Sequence, residues 1–143
     1  MDLQQKNKDL NFGFQQEKSI IDIINTKYEG TEKTTDKYCH FDFRNDTFKI
    51  DIELKSRRIY KGQYPTIFFA KCKLIEGRKR IKMGITDKVI YLFNFKERYS
   101  NKRELWYWED DGKQQNEVMN GNLARCDIKK QLIDIPIDIL KKF

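Results

Sequence analysis

The chain has 143 residues, of which 36% are charged and 13% aromatic, and its formal net charge is +7. The length fits one domain over residues 1–143, and the aromatic content argues against disorder. No apolar run approaches the ~20 residues that span a bilayer, and "MDLQQKNKDLNF" lacks the apolar core of a signal peptide. The expectation is a soluble intracellular protein with no membrane partner.

In chain order, residues 12–28 read as a helix, with Phe14, Glu17, Ile21, Ile24 and Tyr28 spaced along one face. Glu17 lies within that stripe. It either has a partner there or sits at the stripe's edge and snorkels to water. "EGTEKTTD" leads into "KYCHFDF", which alternates, with Tyr38, His40 and Asp42 on one face and Cys39, Phe41 and Phe43 on the other. "RND" reads as a hairpin loop. "TFKIDIELKS" alternates again, placing Ile50, Ile52 and Leu54 on one side and Asp51, Glu53 and Lys55 on the other.

"KGQYP" is a loop by its Gly and Pro. "TIFFAKCKLI" is the most apolar strand candidate and is expected at the sheet centre, with "EGRKR" as a basic hairpin tip. "KVIYLFNF" and "ELWYWE" read as two further strands joined by the basic loop "KERYSNKR". Trp106 and Trp108 share a face and are expected in the core. "DDGKQQNEVMNGNLA" is polar and loop-rich, and "IDIPIDILKKF" ends in a last helical turn.

Charge is unevenly spread: residues 1–54 carry −3, residues 55–103 carry +12, and residues 104–143 carry −2. A concentrated basic middle points to a polyanionic partner, most often nucleic acid; the alternative is a solvated lysine-rich surface. The single histidine, His40, excludes sites that need two imidazoles. The three cysteines, Cys39, Cys72 and Cys126, have no CxxC spacing and read as reduced thiols rather than a disulfide framework or zinc knuckle. At most one Cys/His or Ser/His pair is left, and the expected tools of any catalysis are carboxylates, lysines and a metal, with no nucleotide cofactor.

The hairpin supplies such a set. Asp42 on its first strand can lie beside Glu53 on its second, and Lys55 shares the Glu53 face. Two adjacent carboxylates repel, and Mg²⁺, which prefers oxygen ligands, relieves that repulsion. Asp51 is the alternative acid, but Asp51-Ile52-Glu53 lacks the lysine. The bland reading of the acidic face is an exposed sheet edge with weak cross-strand ion pairs.

A helix bearing Glu17, then "FDF", then "DIELK", resembles the core of the PD-(D/E)XK nucleases, the restriction-endonuclease-like superfamily, over roughly residues 12–75. The wider pattern, from "HFDF" to "YWE", is similar to small nuclease-like proteins of large DNA viruses and phages. Phe41 stands where the name-giving proline would be. The resemblance implies an α/β (α+β) fold with a mixed central sheet flanked by helices, and Mg²⁺-dependent hydrolysis of DNA phosphodiester bonds, with Mn²⁺ able to substitute. It also implies that Asp42, Glu53 and the Leu54 carbonyl hold the metal, that Lys55 is the catalytic lysine, and that Glu17 is the helix acid. A viral protein of this kind would act in the host cytoplasm or nucleus.

Arg57, Arg58, Lys61, Arg78, Lys79, Arg80, Lys82, Arg98, Lys102 and Arg103 are candidate phosphate contacts on duplex or branched DNA. Gln63 and Tyr64 in the loop are further candidate DNA contacts, with a plain loop before a strand as the alternative; Lys71 and Lys73 after it join them, and one of those lysines is expected to face the site. Cutting both strands with one small domain calls for a homodimer. The rival readings are an inactive nucleic-acid-binding module, with a nuclease-like or other basic α+β fold, and a structural viral protein.

Overall fold

The computed structural model describes residues 3–35, 41–119 and 131–143. Helix α1 (Leu3–Lys27) is followed by strands β1 (Glu32–Lys33), β2 (Phe43–Asn45), β3 (Ile50–Ser56) and β4 (Thr66–Ala70). Helix α2 (Lys71–Lys82) then leads to β5 (Lys88–Lys96), β6 (Arg103–Glu109), β7 (Asn116–Met119), β8 (Gln131–Pro136), a 3₁₀ turn (Ile137–Ile139) and β9 (Lys141–Lys142). The fold is mixed α+β. A six-stranded sheet has the order β1-β2-β3-β5-β6-β9, and a second, three-stranded sheet has the order β4-β8-β7. Within the larger sheet β2 and β3 form an antiparallel hairpin, while β3 and β5 run parallel from Ile50↔Lys88 to Ser56↔Asn94. A parallel neighbour requires a long crossover, here made by β4 and α2.

Alternation on β3 separates two environments. Ile50, Ile52 and Leu54 pack with Phe43, Ile90 and Leu92 against Ile20 and Ile24 of α1. The expected helical stripe is thus rotated by about one residue, with Ile21 and Tyr28 at its flank; the Phe14 side chain lies outside what the structure describes. The other face of the large sheet is covered by the small sheet and α2. There Tyr91, Phe93, Phe95 and Trp108 pack with Phe69, Ile133, Ile135 and Leu74, and the Phe69 and Tyr91 rings stack at 4.5 Å between centroids. Strand β5 is buried on both faces, which explains its near-continuous apolar run. Trp108 is core and Trp106 is partly buried against it, as their shared face indicates.

Two asparagines, Asn25 half-buried and Asn45 fully buried, fix the ends of these elements. Asn25 accepts the Gly30 and Thr31 N–H groups, each at 2.9 Å, where Gly30 takes a left-handed φ of +90°. Asn45 donates to the Tyr28 and Glu29 carbonyls and the Thr31 hydroxyl, and accepts the Phe48 N–H. It ties the β2–β3 hairpin to the end of α1.

Several expectations are corrected. "TIFFAKCKLI" is not one strand: its period-two burial (Ile67, Phe69) ends at Ala70, and Leu74 and Gly77 are then buried at helical spacing. The Lys-, Leu-, Glu- and Arg-rich sequence from Lys71 favours helix. "EGRKR" accordingly lies on α2 and is not a hairpin tip, and β4 is at an edge of the small sheet. The hairpin turn is Asp46–Lys49, with Arg44 and Asn45 in the strand. Strand β7 lies in the segment expected to be loop. Tyr38, Cys39, His40 and Cys126 lie outside the described residues.

Gly77 has a reason to be glycine within a helix. A Cβ there would stand 3.0 Å from the Tyr91 hydroxyl and 3.1 Å from Val89 Cγ2, so α2 packs on the sheet at backbone contact.

Candidate active site

Glu53 sits in the middle of β3, paired with Tyr91 of β5, and is only 3% exposed. Continuing the Phe43↔Ile52 register by one residue sets Asp42 opposite it. Asp42, one residue before β2, accepts the Leu54 N–H through Oδ2 at 2.8 Å. In an extended strand a residue's N–H and C=O face the same neighbour, so the Leu54 carbonyl opens toward Asp42 as well. Burial and the adjacent Glu53 carboxylate push Asp42 above its ordinary value, against the Leu54 N–H and the Lys55 and Lys73 charges.

Two amines meet Glu53 from different elements. Lys55 Nζ lies 3.0 Å from Oε1, and Lys73 Nζ, from the first turn of α2, lies 3.6 Å from Oε2. The second distance is too long for a hydrogen bond, and Oε2 is buried with no hydrogen-bond partner among the described residues. Lys73 is held in place by its own backbone: its carbonyl accepts the Tyr91 hydroxyl at 3.0 Å. Burial pushes the Tyr91 phenol well above its usual pKa, so it stays a neutral donor.

Asp51, the alternative acid on the same face, is differently placed. Arg80 donates to it from Nε at 2.7 Å and from Nη2 at 3.2 Å, and Arg44 Nη1 adds a contact at 3.3 Å. Both its oxygens are occupied by guanidinium groups.

Glu17 is paired with Lys33 of β1 at 2.9 Å, which gives the stripe glutamate a partner; no contact with Asp42 or Glu53 accompanies it among the described interactions. Its neighbour Gln16 accepts Asn94 Nδ2 at 2.8 Å.

The basic residues divide into two kinds. Arg78 binds Asp110 through two nitrogens, at 2.7 and 2.9 Å, and also the Lys113 carbonyl, and Arg80 belongs to Asp51; these guanidinium groups work inside the chain. Lys71 pairs with Glu117 at 2.8 Å. Lys61 lies 4.1 Å above the Trp106 ring, and Arg98 lies 5.1 Å from the Tyr60 and Tyr99 rings. Arg58, Gln63, Lys79, Lys82 and Lys102 are exposed. Arg57 Nη2 donates to the Phe68 carbonyl at 3.0 Å.

Sequence reasoning passed over Asn94, which is fully buried. It donates to Gln16 and Ser56, and its side-chain and backbone oxygens accept Arg103, whose Nη2 also reaches the Arg57 carbonyl. The signal was a lone amide in the apolar run "VIYLFNF". Asn94 fixes the chain where β3 leaves the sheet and the basic segment begins.

Among the described residues no helix is long and apolar enough to cross a membrane, and no three His, Cys, Asp or Glu side chains converge as a metal-holding group. Asp42 and Glu53 form a pair. Compared with known proteins, the chain matches no protein-family model, no curated protein and no solved structure.

Proposed function

We propose that the chain is a Mg²⁺-dependent nuclease with a restriction-endonuclease-like core, hydrolysing DNA phosphodiester bonds at Asp42, Glu53 and Lys55. The observation that carries the reading is Glu53: a buried carboxylate with one oxygen lacking a hydrogen bond, beside a second carboxylate and two amines. The architecture supports it. A helix bearing Glu17 precedes a hairpin with Asp42 and Glu53-x-Lys55, and helices flank a mixed sheet.

The donor set fits a hard divalent cation. Mg²⁺ is commonly bound by one or two carboxylates and keeps several waters; Asp42, Glu53 Oε2 and the Leu54 carbonyl are the oxygens that would hold it. When bound, it would polarise a phosphoryl oxygen and make a water more acidic. The raised Asp42 pKa is the counterpart of that fit, because a carboxylate made costly to ionise by burial and by its Glu53 neighbour favours a cation. Lys55 then faces the phosphate, where its amine orients the attacking water and stabilises charge as it develops. Lys73 supplies a second positive charge on the same side. The exposed basic residues hold the strand through its phosphates, without reading sequence.

The test is incubation of the chain with duplex, single-stranded and branched DNA in Mg²⁺ or EDTA. Cleavage confined to Mg²⁺ supports the reading. Salt-sensitive DNA binding with no cleavage in Mg²⁺ or Mn²⁺ replaces it with a binding module, a role that the neutralisation of Glu53 by Lys55 and Lys73 also fits.

A further inference from the structure

Just past Lys55 a cavity of about 330 Å³ opens, lined by Arg57, Ile59, Tyr64, Pro65, Ile67 and Phe68. Its wall is apolar, yet two of its rings are turned outward: Tyr64 is 56% exposed and Phe68 43%. The Arg57 N–H donates to the Asn94 carbonyl at 2.8 Å and so prolongs the β3–β5 ladder. Alternation then puts Arg57 on the face of Glu53 and Lys55, about 7 Å beyond Lys55 at the usual rise per residue. Its guanidinium is anchored on the Phe68 carbonyl, which holds a positive charge at the rim.

We propose that this cavity takes an unstacked nucleobase, so that the strand at Glu53 and Lys55 carries an unpaired nucleotide close to the scissile phosphate. The inference rests on the nuclease reading above and narrows its substrate to single-stranded, branched or locally opened DNA. Two features select this occupant. A mainly apolar cavity with Tyr64 and Phe68 in its lining suits a base, whose faces stack on Tyr or Phe regardless of sequence. The flanking segment 55–61 holds Lys55, Arg57, Arg58 and Lys61 and no acid, a charge that complements a phosphate backbone and gives an apolar peptide nothing to pair with.

Binding is measured by fluorescence anisotropy on the full chain in EDTA, which separates affinity from cutting. The probes are a single-stranded oligonucleotide, the same strand with abasic sites, and a blunt duplex. Tyr64→Ala and Phe68→Ala are each expected to weaken single-strand binding about tenfold, the size of one lost base–aromatic stack. Tyr64→Phe should retain it, the abasic strand should bind the parent as weakly as the intact strand binds the alanine variants, and duplex affinity should not change. Equal binding of the intact and abasic strands by the parent would overturn the base pocket and leave phosphate binding standing. Displacement of an apolar dye from the cavity by a hydrophobic peptide but not by the oligonucleotide would assign it to a protein partner instead. No binding of any of the three probes by the parent would overturn the nucleic-acid reading itself.

Discussion

Asp51 and Glu53 stand two residues apart on one face of β3, and both are buried, at 2% and 3% exposure, yet their surroundings differ. Asp51 is closed off by the forked donors of Arg80 and by Arg44, with its shortest contact at 2.7 Å. Among the described residues Glu53 is met by two flexible amines, and Oε2 has no hydrogen bond. A planar guanidinium saturates a carboxylate, whereas an ammonium is a point charge on a mobile stem. One acid therefore serves the fold and the other is left able to take a cation. On the proposed reading, the contrast separates a structural ion pair from a working site within a single strand.

The largest expected effect falls on the structural end. Asp51→Asn leaves the Arg80 charge without its acid in a mostly buried place, while Arg44 keeps Asp46 at 3.0 Å, and should cost about 3 kcal/mol, read as a lower denaturant midpoint. If stability is unchanged, the guanidinium cluster is not what anchors α2 to β3.

At the working end, Lys55→Ala should lower the cleavage rate by at least ~10²-fold while unfolding near the parent's midpoint, because Lys73 keeps a positive charge beside Glu53. Cleavage at the parent rate would make Lys55 a surface residue and "DIELKSRR" an ordinary acidic-basic strand.

Gly77→Ala probes the scaffold between the two ends. Alanine is the better helix former by about 1 kcal/mol, but its Cβ meets the Tyr91 hydroxyl at 3.0 Å and Val89 at 3.1 Å. Overpacking of this kind costs roughly 1–3 kcal/mol, so the net is a loss of about 1 kcal/mol, with Tyr91 shifted from the Lys73 carbonyl. A more stable Gly77→Ala protein would show that α2 can move off the sheet without cost.

Asp42→Asn should have the smallest effect on stability and the opposite sign. The folded Asp42 pKa lies above its ordinary value of 3.8. Its contribution is therefore present below pH 3.8 and is lost as pH rises through the folded pKa. Without metal at pH 7 the Asn variant should melt slightly higher than the parent, with the gap closing in acid, while metal affinity and cleavage fall together. A lower Tm for the variant at neutral pH would mean that the Leu54 N–H bond outweighs the repulsion from Glu53.

Much of this was legible in the sequence. The period-two pattern of "KIDIELK" set both faces of β3, and the spacing from Asp42 to Glu53 brought the two acids to opposite strands of one hairpin. Local pattern failed where the decision was tertiary. The composition of Lys71–Lys82 favours helix, but its close docking on Tyr91 at Gly77 is a contact that no run of lysines announces. The basic middle was read as one surface, but Arg78 is claimed by Asp110, 32 residues away, and Arg80 by Asp51, 29 residues away. Charge in a sequence does not say which guanidinium groups are already occupied. Glu17 lies in the expected stripe, and its partner Lys33 was not foreseeable from helical periodicity.

The most direct measurement is the Mg²⁺-dependent cleavage rate of Glu53→Gln beside that of Asp51→Asn, at a temperature where circular dichroism shows both folded. Glu53→Gln is predicted to be folded and inactive, and Asp51→Asn to be less stable but to cut. An active Glu53→Gln, or an inactive Asp51→Asn that is fully folded, would contradict the assignment of Glu53 as the working acid.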